Sequence, residues 1–488
     1  MSSLVLKGGR VIDPGTGRDE VTDLRIENGK VAAIGPDLVG DTTIDVTGLV
    51  VGPGFVDLHS HVHSIAGQRL QAFDGVTTAL DLEAGLAPVG RAYTEAAAEG
   101  RLLHYGFSAS WGQARGKVLA GVEMDASIST CLSLLGIPDW QRTSTLTERD
   151  QWLAILRDEL EQGALGIGVL MGYAPETDPS EYVAVGRLAA EAGVATFTHV
   201  REIVEANPST PVDGSSEVGI VAAETGAHMH HCHVNSTSRR HIDRVLTTLA
   251  KAQAEGSRVT VEAYPYGAGS TGVGAYFLAP ERLSAWGLTP RSLVLVPSGE
   301  RIADEARLRQ VREEAPGTPC IVEHLDETVP GDLALLRRSL EFPDSIVASD
   351  AMPVFFPDGS HDSREWPLPP GGSMHPRTAG TYTKALRMMV RESGSWSWLE
   401  AFRRCSYLPA RVIDFAPAAR GKGHLGVGAD ADIVVLDPTT VTDAASYLDP
   451  TVPAVGVRHL LVAGTPVIRD GVLDADAFPG TPVRGEPR

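Results

Sequence analysis

The chain has 488 residues, 43% of them hydrophobic, and its 42 basic and 62 acidic side chains leave a net charge of −20. That length holds one large α/β domain plus a smaller one. The acidity argues against a nucleic-acid groove or an anionic membrane surface as partner, although a local field can still favour an acidic small molecule. Residues 1–12 lack a basic start before a long apolar run, so no signal peptide is expected, and no apolar run reaches the length of a membrane span. Short alternating strands are predicted at Leu4, Arg10, Asp23 and Lys30, split by Gly and Asn turns. Residues 433–436, 455–462 and 467–471 repeat that style. The two ends therefore predict one small β-sandwich, formed by residues 1–52 together with 412–488.

Between them, residues 53–411 alternate strand and helix. Strands are expected at 54–61, 77–83, 103–110, 166–172, 195–200, 228–234, 258–264 and 346–350. Eight such strands with helices in the gaps predict a (β/α)8 TIM-like barrel. Thr147 is read as the cap of one helix closed by Gly163, and Asp178-Pro179 as the opening of the next. Residues 274–343 are long for one crossover and read as an inserted lobe. The Pro-rich stretch 353–376 reads as a long loop after the eighth strand. Cys131, Cys232, Cys320 and Cys405 form no CxxC pair, which suits reduced thiols in a cytoplasmic protein.

The chemistry collects at strand ends. Residues alternate across a strand, so His59 and His61 point the same way at the end of strand one. Strand five ends in His199, strand six in His233 and strand eight in Asp350. Four imidazoles and a carboxylate at one barrel mouth suit a Zn²⁺-type ion. On strand two, Asp81 and Glu83 share the inward face; Glu83 lies nearer the mouth and is the expected further ligand. Strand four contains no lysine that would serve as the alternative bridge. Metal-activated water with Asp350 as proton acceptor and donor predicts hydrolysis of an amide. Arg201, Tyr266, Ser270 and Arg377 are the expected substrate-binding residues, an arginine being suited to a bidentate grip on a carboxylate. By parity, His228 and His230 face the helices and His231 faces inward. Taken singly, each residue has a plainer reading: Glu83 as a carboxylate paired with an arginine, Cys232 as small core filling.

Taken together, residues 53–61, 75–78, His199, His233 and Asp350 resemble the amidohydrolase superfamily. Residues 259–271, 375–381, 406–411 and 426–437 narrow this to a resemblance to the D-aminoacylase branch, the N-acyl-D-amino-acid deacylases. The similarity covers nearly the whole chain. It implies a metal-dependent barrel with a flanking β-sandwich, zinc as cofactor (one or two ions), and a linear N-acyl-D-amino acid of D-glutamate type as substrate. It carries ligand roles onto His59, His61, His199 and His233, the acid/base role onto Asp350, and substrate contacts onto Tyr266, Ser270 and Arg377. The branch places a metal-binding cysteine on strand two, where this chain has Ala84 with Glu83 one residue earlier; a harder, bridging carboxylate implies a different metal arrangement. The competing expectations are a cyclic-amide hydrolase of dihydroorotase or hydantoinase type and a catalytically silent scaffold. The expected partner is a carboxylate-bearing small molecule, with self-association into a homo-oligomer compatible with the sequence.

Overall fold

Both ends of the chain contribute strands to one sheet. In the computed structural model, which describes residues 3–486, the first five strands are β1 (Ser3–Asp13), β2 (Arg18–Glu27), β3 (Lys30–Gly35), β4 (Thr42–Asp45) and β5 (Val50–Pro53). The central strands are β6 (Phe55–Asp57), β7 (Val76–Leu86), β8 (His104–Ser110), β9 (Ile167–Val169), β10 (Ala195–Thr198), β11 (His228–His231) and β12 (Val259–Ala263). Three more, β13 (Ala268–Gly272), β14 (Leu293–Leu295) and β15 (Pro319–Glu323), precede β16 (Ile346–Val347). The C-terminal strands are β17 (Ile433–Leu436), β18 (Val457–Val462), β19 (Thr465–Arg469) and β20 (Val472–Leu473).

The terminal strands form one nine-stranded sheet ordered β20-β19-β18-β17-β5-β1-β2-β3, with β4 beside β1. Its seam is β5, parallel to β1 and antiparallel to β17, with Val51 opposite both Val11 and Val435. Alternation turns Leu24, Ile26, Val51, Ile433, Val435 and Leu461 into one buried apolar cluster. That burial is what ties the two ends of the sequence together.

A second sheet runs β16-β12-β11-β10-β9-β8-β7-β6, the consecutive order of a TIM-like barrel. Its pairs are parallel, as where Phe197 faces Gly168 on one side and His230 on the other. Past β6, Ser60 bridges Ala351 in parallel and the His61 N–H donates to the Ala351 carbonyl at 2.8 Å, so the chain after β6 lies beside the chain after β16. All eight expected strands are present and the fold is α/β.

Several boundaries differ from expectation, each for a local reason. β6 stops at Asp57 because that side chain captures the His59 N–H and turns the backbone out of the ladder. The helix expected to start at Thr147 starts two residues earlier: Thr145 and Glu148 form a reciprocal capping box over Leu146–Glu161. Asp178 and Pro179 do open the helix Pro179–Ala192. The inserted segment begins at Ala268 rather than 274, because β13, β15 and β14 pair as a small antiparallel sheet. The helix Pro330–Glu341 then leads back to β16, while residues 348–376 run as a loop pinned by a Phe355–Ser373 bridge.

The chain divides into two compact units. The first comprises the residues up to Leu80, Glu95–Gly106 and Ile346–Val483, and holds the nine-stranded sheet with β6 and β16. The second comprises Asp81–Thr94, Phe107–Ser345 and the residues from Arg484, and holds β9 to β15. All four cysteines are buried, and none forms a disulfide among the described residues. Among the described residues, no helix is long and apolar enough to cross a membrane.

Candidate metal-binding sites

In the first unit, the end of β6 is organised by Asp57. Its carboxylate accepts from the backbone N–H groups of His59 (3.2 Å) and Ser349 (3.0 Å), from the Ser349 hydroxyl, and from Gln71 Nε2 (3.2 Å). Complete burial pushes the Asp57 carboxyl up to about 6, against the pull of those donors. With the backbone fixed on both sides, His59 and His61 bring their Nε2 atoms to 3.2 Å of each other, the rings nearly perpendicular at 82°. Asp350 Oδ1 lies 3.4 Å from His59 Nε2 and 3.6 Å from His61 Nε2. Three donor atoms converging on one point are a cation site in outline. Asp350 also sits at φ +50°, a left-handed conformation that its surroundings must impose.

Arg377 belongs to this group. Its side chain is fully buried, and its terminal nitrogen lies 2.9 Å from Asp350 Oδ1. Its own N–H donates to His375 Nδ1, and Thr378 exchanges hydrogen bonds with the Met352 backbone. The start of the helix Arg377–Leu386 is thereby fastened to the loop after β16. The arginine expected to meet a substrate carboxylate thus already meets Asp350.

In the second unit, β7 presents Glu83 to two imidazoles. Glu83 Oε1 lies 2.7 Å from His233 Nε2 and 3.1 Å from His199 Nδ1. All three side chains are buried, and their ligand atoms lie within 4.8 Å of one another. Two borderline imidazoles with one hard carboxylate are a donor set suited to a Zn²⁺-class ion. The His199 ring packs against two aromatic neighbours, 4.5 Å from Tyr173 and 5.7 Å from Phe277, centroid to centroid. Tyr173 is itself held by Thr271, hydroxyl to hydroxyl at 2.9 Å.

Glycines on and after the fourth barrel strand make room for this arrangement. A Cβ on Gly168 would lie 2.4 Å from the Glu83 carbonyl oxygen, and one on Gly172 would lie 2.5 Å from His199 Cδ2. In this stretch the glycines, more than the absence of a lysine, are the sequence signal of the site.

His233 is not on a strand. β11 ends at His231, and His233 follows at φ +33°, its N–H donating to Glu262 Oε1 at 3.2 Å. Counting parity back through this kink gave the wrong faces. His231 Nε2 meets Ser215 on the helix Gly214–Thr225 at 3.2 Å, while His230 Nε2 meets Glu262 Oε2 at 2.9 Å. His230 and His231 therefore exchange the orientations expected of them. Glu262, which sequence reasoning passed over, supports both His230 and the turn that carries His233.

The remaining expected substrate residues are placed as follows. Arg201 is fully buried, with Nε at 2.8 Å from Glu217 and NH1 donating to the Pro175 carbonyl at 2.6 Å. Tyr266 is buried after β12, and its carbonyl accepts from Asn235 at 3.4 Å. Ser270 lies in β13 opposite Ile321, partly exposed. Tyr264, not singled out for a role, packs its ring 6.5 Å from that of His233.

No protein-family model matches the chain. It is 29% identical to a D-aminoacylase of Alcaligenes xylosoxydans xylosoxydans, over 95% of this chain and 94% of that protein. Among solved structures, an N-acyl-D-glutamate deacylase from Bordetella bronchiseptica, complexed with zinc and a phosphonate mimic of the tetrahedral intermediate, matches with a TM-score of 0.77 at 24% identity, covering 99% of both chains. A D-aminoacylase characterised for its binuclear metal centre matches with a TM-score of 0.78 at 22% identity, covering 99% of this chain and 100% of that one.

Proposed function

The chain belongs to the amidohydrolase superfamily, in its D-aminoacylase branch, and from that premise we propose that it hydrolyses the amide bond of an N-acyl-D-amino acid. The observation that carries this reading is the pair of buried triads, His59/His61/Asp350 and Glu83/His199/His233, each a set of donors drawn together in its own unit. We assign His59 and His61 to one ligand set and Glu83, His199 and His233 to another. Barrel enzymes carry their chemistry at the C-terminal ends of the strands, which is where the sequence puts all five residues. The zinc of the D-glutamate deacylase and the binuclear centre of the D-aminoacylase support one or two zinc ions here.

A bound zinc ion supplies Lewis acidity, easing the ionisation of water and polarising the amide carbonyl. Asp350 is the residue that moves the proton: it accepts one from the attacking water and returns it to the amide nitrogen as the C–N bond breaks. Water and amide thus become a carboxylic acid and an amine, which at neutral pH settle as carboxylate and ammonium. Arg377 holds Asp350 at Oδ1 and so fixes which way its other oxygen faces. Tyr266, Ser270 and Arg377 remain our candidates for substrate contacts, with a D-glutamate-type side chain as the expected substrate class. Arg201 is already engaged by Glu217 and Pro175, and a role for it in substrate binding would have to use its remaining nitrogen.

The test is metal analysis of the purified protein, paired with a screen of N-acyl-D-amino acids, N-acyl-L-amino acids and cyclic amides. Metal together with D-selective release of an amino acid is the expected result. Ring opening alone would replace this reading with that of a cyclic-amide hydrolase.

A further inference from the structure

A second cluster in the second unit lies outside both triads. Arg239 follows His233 by six residues, and 7% of its surface is exposed. Its guanidinium carbon stacks 4.2 Å over the Trp286 ring, and its Nε donates to the Ser236 carbonyl at 3.1 Å. Its NH1 is buried and makes no hydrogen bond among the described residues. The nearby carboxylate is Glu202, and it is already committed: one oxygen takes Arg282 and the other accepts from Trp286 Nε1 at 3.0 Å. Arg282 in turn lies 4.3 Å over the Tyr276 ring. Among the described residues, two largely buried guanidinium groups thus share a single carboxylate, which leaves one positive charge without a counter-ion. Nature rarely leaves a buried charge in that condition, because its desolvation is not offset.

Two further facts set this arginine apart from a structural one. Its backbone is held at φ +48°, ψ −119°, a conformation that costs free energy and that clusters at ligand-binding positions. Arg239 also closes the short helix Val234–Ser238 that starts directly after His233, so the guanidinium and the second triad are carried by one continuous turn of chain. Burial lowers the guanidinium to about 10, which leaves it fully charged at neutral pH.

We propose that Arg239, platformed on Trp286, is a carboxylate-binding subsite that anchors an anionic group of the substrate. Stacking fixes the plane of the guanidinium and presents its free edge for a charge-assisted hydrogen bond. The identity of that group as part of an N-acyl amino acid rests on the function proposed above; it is either the α-carboxylate or a side-chain carboxylate.

The experiment titrates the metal-loaded full chain with glutarate by calorimetry, for the parent, Arg239→Met and Arg239→Lys. Arg239→Met should weaken glutarate at least tenfold, with metal content and circular dichroism unchanged, and Arg239→Lys should fall between. Equal glutarate affinity in parent and Arg239→Met, or no binding to the parent, overturns the proposal. If Arg239→Met does not fold, Arg239→Lys and Arg239→Gln decide the matter by the same titration. Steady-state kinetics then separate the two sources of carboxylate. A rise in KM confined to N-acetyl-D-glutamate assigns the side-chain carboxylate, and an equal rise for N-acetyl-D-leucine assigns the α-carboxylate. An equal loss on an N-acetylalkylamine, which has no carboxylate, overturns the subsite. Should the parent hydrolyse none of these, the proposed function fails while the glutarate titration still judges Arg239.

Discussion

The two triads use the same ingredients and differ in what engages the carboxylate. In the first unit, Asp350 stands 3.4–3.6 Å from its imidazoles and has an arginine at 2.9 Å. In the second, Glu83 reaches its imidazoles at 2.7 and 3.1 Å, inside an aromatic and glycine-lined wrap. On the roles proposed above, the carboxylate held at arm's length and steered by a guanidinium exchanges the proton, and the one clasped by two imidazoles coordinates. Residue type alone would not separate those two roles; the neighbours would.

The largest effect should come from Asp350→Asn, which keeps the shape and removes the base. Turnover should fall by about 10²–10⁴-fold with metal content unchanged. Equal turnover in the variant would erase the contrast between the triads. Next is Glu83→Ala, which should lower the metal content measured by emission spectrometry, while Asp350→Asn should not. Unchanged stoichiometry would make Glu83 a structural carboxylate. Smaller again is Gly168→Ala, whose methyl would press on the Glu83 carbonyl. It should cost about 1–3 kcal/mol in a denaturant titration, as overpacking does, and weaken metal retention in the second unit alone.

The smallest effect concerns pH. His228, half-buried beside Thr260, has its imidazole lowered to about 3, chiefly by desolvation. The unfolded chain therefore binds the proton more readily than the folded one between about 3 and its ordinary 6.5. Its contribution is complete above 6.5 and is lost as pH falls toward 3. His228→Gln should flatten the decline of Tm between pH 6.5 and 4.5 relative to the parent. A parallel decline in both proteins would remove His228 as its source. Asp74 in the first unit, whose burial raises its carboxyl to about 7, works with the opposite sign: its contribution is complete below 3.8 and fades as pH rises through 7.

Much of this was legible from residue order. Apolar runs alternating with helical segments marked all eight barrel strands, four of them ending in His or Asp, and alternation at both ends marked the terminal sheet. The residues of the two triads were visible because strand ends concentrate histidine and carboxylate side chains. What failed was extrapolation past the end of a ladder. Asp57 and Glu262 capture backbone N–H groups and kink the chain, so parity no longer assigns a face; His230 and His231 were misread for that reason. The Arg239–Trp286–Glu202 cluster was out of reach altogether, because only tertiary folding brings together residues so far apart in sequence.

The seam of the terminal sheet has a consequence for biosynthesis. β5 pairs with β17 across a gap of roughly 380 residues, as Pro53 opposite Ile433 shows. A ribosome adding about 5–20 residues per second takes on the order of 20–80 s to bridge it. During that interval the β17-facing edge of β5 has no native partner, and an unpaired edge invites pairing with other chains. The nascent protein must therefore pass much of its translation with a half-built sheet, and soluble yield should depend on elongation speed and on chaperones that shield that edge.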